Sequence, residues 1–83
     1  MDKTLAYLRE TMANYTEKDP IADRIYRKIE SEKYGSEGDF VQDLTFKEER
    51  YLNKVLEWEI QYAKNEQDEI RAKQLNEVFE LLL

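Results

Sequence analysis

Lys64-Asn65-Glu66-Gln67-Asp68-Glu69, six polar residues in a row, interrupt the C-terminal half of this 83-residue chain. On their N-terminal side, Thr45-Phe46-Lys47-Glu48 has the form of a helix start. The threonine caps the helix, and the glutamate three residues on reaches back to the N–H of the cap. No Gly or Pro occurs from there to Leu83. Before the interruption, Leu52, Leu56 and Ala63 share one side of a helical wheel, and Tyr51, Val55, Trp58 and Tyr62 occupy the adjacent face. Ile70 joins the first side if the helix continues, whereas Leu75, Val78, Phe79 and Leu82 have turned away from both. Two architectures account for this shift. One is a tight helical hairpin, with Asn65 or a neighbour as cap. The other is one continuous helix of roughly 35 residues, about 50 Å long, which would overshoot so small a monomer and imply a dimer. The hairpin is the favoured reading.

The N-terminal half is punctuated where helices need it. Leu5, Leu8, Met12 and Tyr15 form one narrow stripe, which predicts a helix from Asp2 or Thr4 to about Glu17. Asp19-Pro20 supplies an N-cap followed by proline at the first helical position, where the missing N–H costs nothing. Ile21, Ile25 and Ile29 then share a face of a second helix expected to run to about Tyr34, with Gly35 as its left-handed C′ residue. Ser36-Glu37-Gly38-Asp39 reads as a capping box for a short turn carrying Phe40, Val41 and Leu44. With 39% charged residues and no alternating runs, the chain reads as one all-α domain over residues 1–83, a small bundle of about four helices. The alternative is two short helices packed on one long C-terminal helix in a dimer.

Composition excludes most chemistry. The chain has no Cys and no His. That removes disulfides, the usual zinc ligands, the thiolate nucleophile and the commonest general base. Two glycines cannot build a phosphate-binding loop. Glu48, Glu49, Glu57 and Glu59 lie on one predicted helix, but a di-iron carboxylate bundle needs Glu-x-x-His pairs. The expectation is a non-enzymatic protein with no cofactor and no metal, its acids serving solubility and helix-end electrostatics.

The net charge of −6 is unevenly placed. Residues 1–35 carry seven basic and seven acidic side chains, and residues 36–83 carry six basic and twelve acidic. Such a balance repels phosphate backbones, so nucleic acid is not an expected partner. Arg24, Arg27 and Lys28 are the one basic cluster, read as a solvated helix face rather than an anion site. No apolar run approaches the ~18 residues of a membrane span. The N-terminus lacks the basic-then-apolar form of a signal peptide, so a cytoplasmic location is expected.

What remains is apolar surface. Tyr51, Trp58 and Tyr62 widen the apolar side of their helix beyond a two-helix contact, and Leu81-Leu82-Leu83 cannot all face one core. The aromatic face is expected either to be buried as part of a central helix or to meet a partner, since Tyr and Trp are enriched in interface hot spots. Tyr51, Val55, Trp58, Tyr62, Phe79, Leu82 and Leu83 are the candidate protein-interface residues. A protein partner or self-association, for example a homodimer, is the expected use of them.

Several stretches carry a family resemblance: Thr4-Leu5 with Tyr7-Leu8-Arg9-Glu10, Phe40-Val41 with Asp43-Leu44, Val55-Leu56-Glu57, Asn65-Glu66-Gln67-Asp68, Arg71-Ala72-Lys73, Leu75-Asn76-Glu77-Val78 and Glu80-Leu81-Leu82-Leu83. The chain resembles the sigma-G-dependent, sporulation-specific acid-soluble spore proteins of endospore-forming bacteria, and residues 15–33 match least. The resemblance implies expression in the forespore, a place inside the developing spore and no catalytic residues. It does not imply the DNA-coating role of the major acid-soluble spore proteins, whose glycine-rich DNA-contacting motifs are missing here. The functional expectation is a helical interaction or regulatory module, with a structural or storage spore protein as the alternative. Acid solubility follows from charge alone. Near pH 2 the nineteen acids are protonated while thirteen basic side chains stay charged.

Overall fold

The computed structural model describes residues 2–31 and 34–82 and places them in five helices: α1 (Lys3–Ala13), α2 (Pro20–Glu30), α3 (Glu37–Gln42), α4 (Phe46–Asn65) and α5 (Glu69–Leu81). Among the described residues there is no strand. The all-α bundle expected from the sequence is the observed fold. The segment expected as a short turn is the six-residue α3.

The hairpin reading also holds. At 20 residues α4 is about 30 Å long, which matches the longest dimension of the molecule, 30 × 27 × 22 Å. A continuous rod does not fit that envelope. Glu66 closes α4, and its N–H donates to the carbonyls of Tyr62 and Lys64. Gln67 then takes a left-handed backbone with φ 61°. Asp68 starts α5 by accepting a hydrogen bond from the Arg71 N–H at 3.1 Å. The reversal explains the one misfit of the wheel. Ile70, projected beside Leu52 and Leu56, is instead 61% exposed on the first turn of the returning helix.

The N-caps behave as their residue types dictate, while one capping box and the helix ends need correction. Asp2 caps α1, Asp19 caps α2 ahead of Pro20, and Thr45 with Glu48 forms both arms of a capping box. Ser36 accepts from the Asp39 N–H, but only that arm of the expected box is present among the described contacts. α1 ends at Ala13 rather than Glu17, and residues 14–18 continue as turns. α2 ends at Glu30, where Ser31 tightens the last turn. Its hydroxyl donates to the Lys28 carbonyl at 2.6 Å, and its N–H to the carbonyls of Arg27 and Lys28. The expected extension toward Tyr34 passes through Glu32 and Lys33, which lie outside the described residues. Gly35 is not a left-handed C′ residue, since no described glycine has positive φ.

The core is continuous. Leu5, Leu8 and Met12 of α1 meet Ala22, Ile25 and Ile29 of α2, Phe40 of α3, Leu52, Leu56 and Ile60 of α4, and Leu75 and Val78 of α5. α5 packs against α1, α3 and α4, and α2 bridges α1 and α4. Polar groups at the seams are satisfied. The Thr4 hydroxyl lies 2.7 Å from Gln74 Oε1 and 2.9 Å from Glu77 Oε2. The Arg71 guanidinium, over the Tyr7 ring, donates to Thr11 Oγ1 and Glu10 Oε1 and so ties α5 to α1. No buried side-chain polar atom among the described residues lacks a partner.

Candidate functional site

The predicted interface residues do not form one patch. Leu52, Leu56 and Ala63 point α4 into the core. Tyr51, Val55, Trp58 and Tyr62 follow one flank of the helix, and their burial falls along it. Val55 is buried and belongs to the core, and Tyr51 is half-buried against it. Trp58 and Tyr62, one turn apart, are 66% and 53% exposed. The α1–α2 connection reaches this part of α4, with Asp19 near the Tyr51 hydroxyl. There the Tyr15 hydroxyl donates to Glu59 Oε2 at 2.5 Å, and the Lys18 ammonium lies over the Tyr15 ring.

Phe79 and Leu82 are half-buried against the core. Leu82 lines an open groove of about 250 Å³ with Phe46, Glu49, Arg50, Asn53 and Lys54, near the start of α4. Leu83 lies outside the described residues. Sequence reading passed over Phe46, which is 70% exposed directly after the Thr45 cap. The signal was present, because a first-turn residue beside a solvent-facing cap has no core to enter.

The basic cluster of α2 is exposed at Arg24 and Arg27, as expected of a solvated face, but it is also ion-paired, and Lys28 is partly buried. Lys28 donates to Glu48 Oε1 at 2.6 Å and to the Asp43 carbonyl at 2.8 Å, and Arg24 approaches Glu48 Oε2 at 3.6 Å. Arg27 pairs with Asp23 within its own helix. These cations are therefore committed to acids of the same chain. Glu48, read from sequence as a cap and as one of the solubilising acids, is 1% exposed. Burial by itself pushes its carboxyl up. The hydrogen bonds from Lys28 and from the Thr45 backbone outweigh that, and the carboxyl sits below the ordinary glutamate value. Beside this pair the Tyr34 hydroxyl donates to Asp43 Oδ2 at 2.5 Å. Its pKa is raised to about 12 by burial and by Asp43. This network joins α2 to the start of α4 and presents no nucleophile or open base. Among the described residues no group of three His, Cys, Asp or Glu side chains could hold a metal. No described helix is long and apolar enough to cross a membrane.

No solved structure matches this chain. A family model described as CsgA, minor curli fiber component A, matches residues 1–83. A sigma-G-dependent sporulation-specific SASP protein of Bacillus subtilis (strain 168) is 53% identical over 83 residues, covering 100% of both chains. This bears out the resemblance seen in the sequence. With every residue matched by the family and 53% identity over the full length of the relative, the chain belongs to the CsgA family of sigma-G-dependent sporulation-specific acid-soluble spore proteins.

Proposed function

We propose that this is a non-enzymatic spore protein of the sporulating cell, acting as a helical protein-interaction module with Trp58 and Tyr62 as its contact residues. The name of the relative supports the sporulation setting and, with it, a place in the forespore interior. The observation that carries the interaction reading is the 66% exposure of the single Trp of the chain, next to a Tyr that is 53% exposed. Sixteen other apolar side chains among the described residues are sealed in the core, so the pair is not left out for want of a core to enter. A Trp–Tyr pair on a rigid helix offers large contact area at small entropy cost, as interface hot spots do.

A fibre role, suggested by the wording of the family description, is not part of this reading. Cross-β stacking needs short, weakly charged segments in extended conformation. Among the described residues there is no strand, in a chain with 39% charged residues. The net charge of −6 favours a protein over a nucleic acid as partner.

The test is affinity capture from sporulating-cell lysate with the wild-type chain beside Trp58→Ala and Tyr62→Ala, together with the thermal unfolding of each variant. One stoichiometric partner lost in variants of unchanged stability supports the module. Identical capture by all three proteins removes its basis and leaves a structural or storage role.

A further inference from the structure

We infer that the groove between the start of α2 and the first turns of α4 docks an acidic segment of a partner protein, a stretch of chain in which carboxylates flank one large apolar side chain. The groove has a volume of about 370 Å³ and is lined by Ile21, Phe46, Lys47, Arg50, Tyr51 and Lys54, with no carboxylate. Neither Trp58 nor Tyr62 lines it, so this inference does not rest on that pair.

The cations of the groove have no acid of their own. Arg9, Arg24, Arg27 and Arg71 each pair with a carboxylate. Arg50 is the remaining arginine of the chain, and neither it nor Lys47 nor Lys54 takes part in an ion pair among the described residues. Arg50 lies instead over the Phe46 ring, 5.6 Å from its centre. The nearby acids are engaged or turned elsewhere. Glu48 is sealed against Lys28, Glu49 lines the neighbouring groove, and the Asp19 carboxylate caps α2 by accepting from the Ile21 N–H at 2.8 Å. Lys47, Arg50 and Lys54 are exposed and follow one another at three and four residues on one face of α4, a spacing at which like charges repel. Lys47 also stands in the first turn of α4, where the helix dipole favours acids over bases. Nothing within the chain offsets these two unfavourable terms, and an anionic ligand offsets both.

The geometry narrows that ligand to a peptide. The three cations span about 10 Å along the helix at 1.5 Å per residue. Alternate side chains of an extended chain stand about 7 Å apart, so two or three carboxylates of one segment reach all of them. Between the cations Phe46, 70% exposed, and the half-buried Tyr51 and Ile21 offer apolar contact for one side chain of that segment. Small-molecule sites enclose most of their ligand, whereas this groove is open. The net charge of −6 repels an acidic segment from the rest of the surface and so confines it to this groove.

The experiment is fluorescence anisotropy at low salt with the full chain and a labelled nonapeptide that has glutamate at alternate positions and one central phenylalanine. Saturable binding with a Kd below about 1 mM is expected, weakening as salt rises. The same peptide with glutamine in place of glutamate should not bind. Arg50→Gln/Lys54→Gln and Phe46→Ala, each shown to be folded by circular dichroism, should each lose affinity at least about tenfold, and Trp58→Ala should bind as wild type does. Absence of saturable binding, or variants that bind as well as wild type, overturns the groove. So does inorganic phosphate or a single-stranded oligothymidylate that binds as tightly as the peptide, since the site then reads charge without a polypeptide. Binding lost only in Trp58→Ala also overturns it and leaves the contact reading above in place.

Discussion

Lys28 Nζ lies 2.6 Å from Glu48 Oε1, and this contact joins α2 to the first turn of α4 across the most buried carboxylate among the described residues. The two ends of the pair differ in solvent access. The Lys28 side chain is 27% exposed and that of Glu48 2%. Removing the lysine strands a charge that cannot reach water, whereas removing the carboxylate frees an amine that can. Lys28→Met is therefore expected to destabilise by about 2–3 kcal/mol, less than a fully isolated buried charge because Thr45 and Arg24 remain. Glu48→Gln, which keeps a capping oxygen, should cost less, and the double variant should recover much of the Lys28→Met loss. Urea unfolding of the three variants checks the order.

The same carboxylate sets the response to acid. Its pKa is lowered in the folded chain, so its contribution is present above the unfolded value and is lost as pH falls through the folded one. Stability should decline as pH drops below the ordinary glutamate value of about 4.3, and Glu48→Gln should flatten that decline. Solubility should not decline with it, because thirteen basic side chains stay charged. Circular dichroism of acidified samples, read beside light scattering, should show lost tertiary packing in a clear solution.

The alkaline limb runs the other way. The hydroxyls of Tyr15, Tyr34 and Tyr51 are all raised, each by burial first. For Tyr15 the further cause is Glu59, for Tyr34 Asp43 and for Tyr51 Asp19. A raised phenol stabilises the fold below the unfolded value near 10 and loses that contribution as pH rises toward the folded value. For Tyr34 that window closes at about 12. Tyrosinate absorbance should therefore rise late for these three, together with unfolding. Tyr34→Phe should weaken the pH dependence of stability above pH 10.

Local signals in this chain were legible where one residue type has one use. Asp19-Pro20 and Thr45-x-x-Glu48 start helices in the structure as they do in the pattern. Leu5, Leu8 and Met12 mark a stripe that is buried. Long-range pairing was not legible. Nothing in the spacing of Lys28 and Glu48, twenty residues apart, shows that α2 and α4 pack together across α3 and seal the acid from water. The aromatic flank was half legible for the same reason. Periodicity puts Tyr51, Val55, Trp58 and Tyr62 on one side of α4. It cannot show that Val55 is buried and Tyr51 half-buried while Trp58 and Tyr62 stay exposed. The end of α2 was misplaced because Ser31, bonding back to Lys28, closes the helix before Gly35 is reached.

Trp58 offers a direct optical check on its own exposure, being the only Trp of the chain. In dilute solution its emission should lie toward the red, and acrylamide should quench it efficiently. Trp58→Ala should change folding stability by no more than about 0.5 kcal/mol, as for other surface positions. Phe40, fully buried and edge-on to Tyr34 at 5.5 Å, is the contrast. Phe40→Ala should cost about 3–5 kcal/mol, enough to unfold much of a domain this small.

Gln67 gives the sharpest test of the reversal between α4 and α5, because the sign of the effect decides it. With φ at 61° the residue is in the left-handed region, which costs a side-chain-bearing residue about 1–2 kcal/mol. Glycine removes that strain but adds freedom to the unfolded chain worth about 0.4–1 kcal/mol. Gln67→Gly should therefore raise stability by about 0–1.6 kcal/mol, the difference of those two terms. Gln67→Val, β-branched and ill suited to positive φ, should lower it. In a continuous helix the order would invert, since glycine in a helix interior costs about 1 kcal/mol relative to alanine. Thermal unfolding of both variants thus reads the hairpin directly. A stabilised Gln67→Gly is the signature of the turn that sends α5 back along α4 and leaves Glu66, Glu69 and Ile70 exposed at its tip.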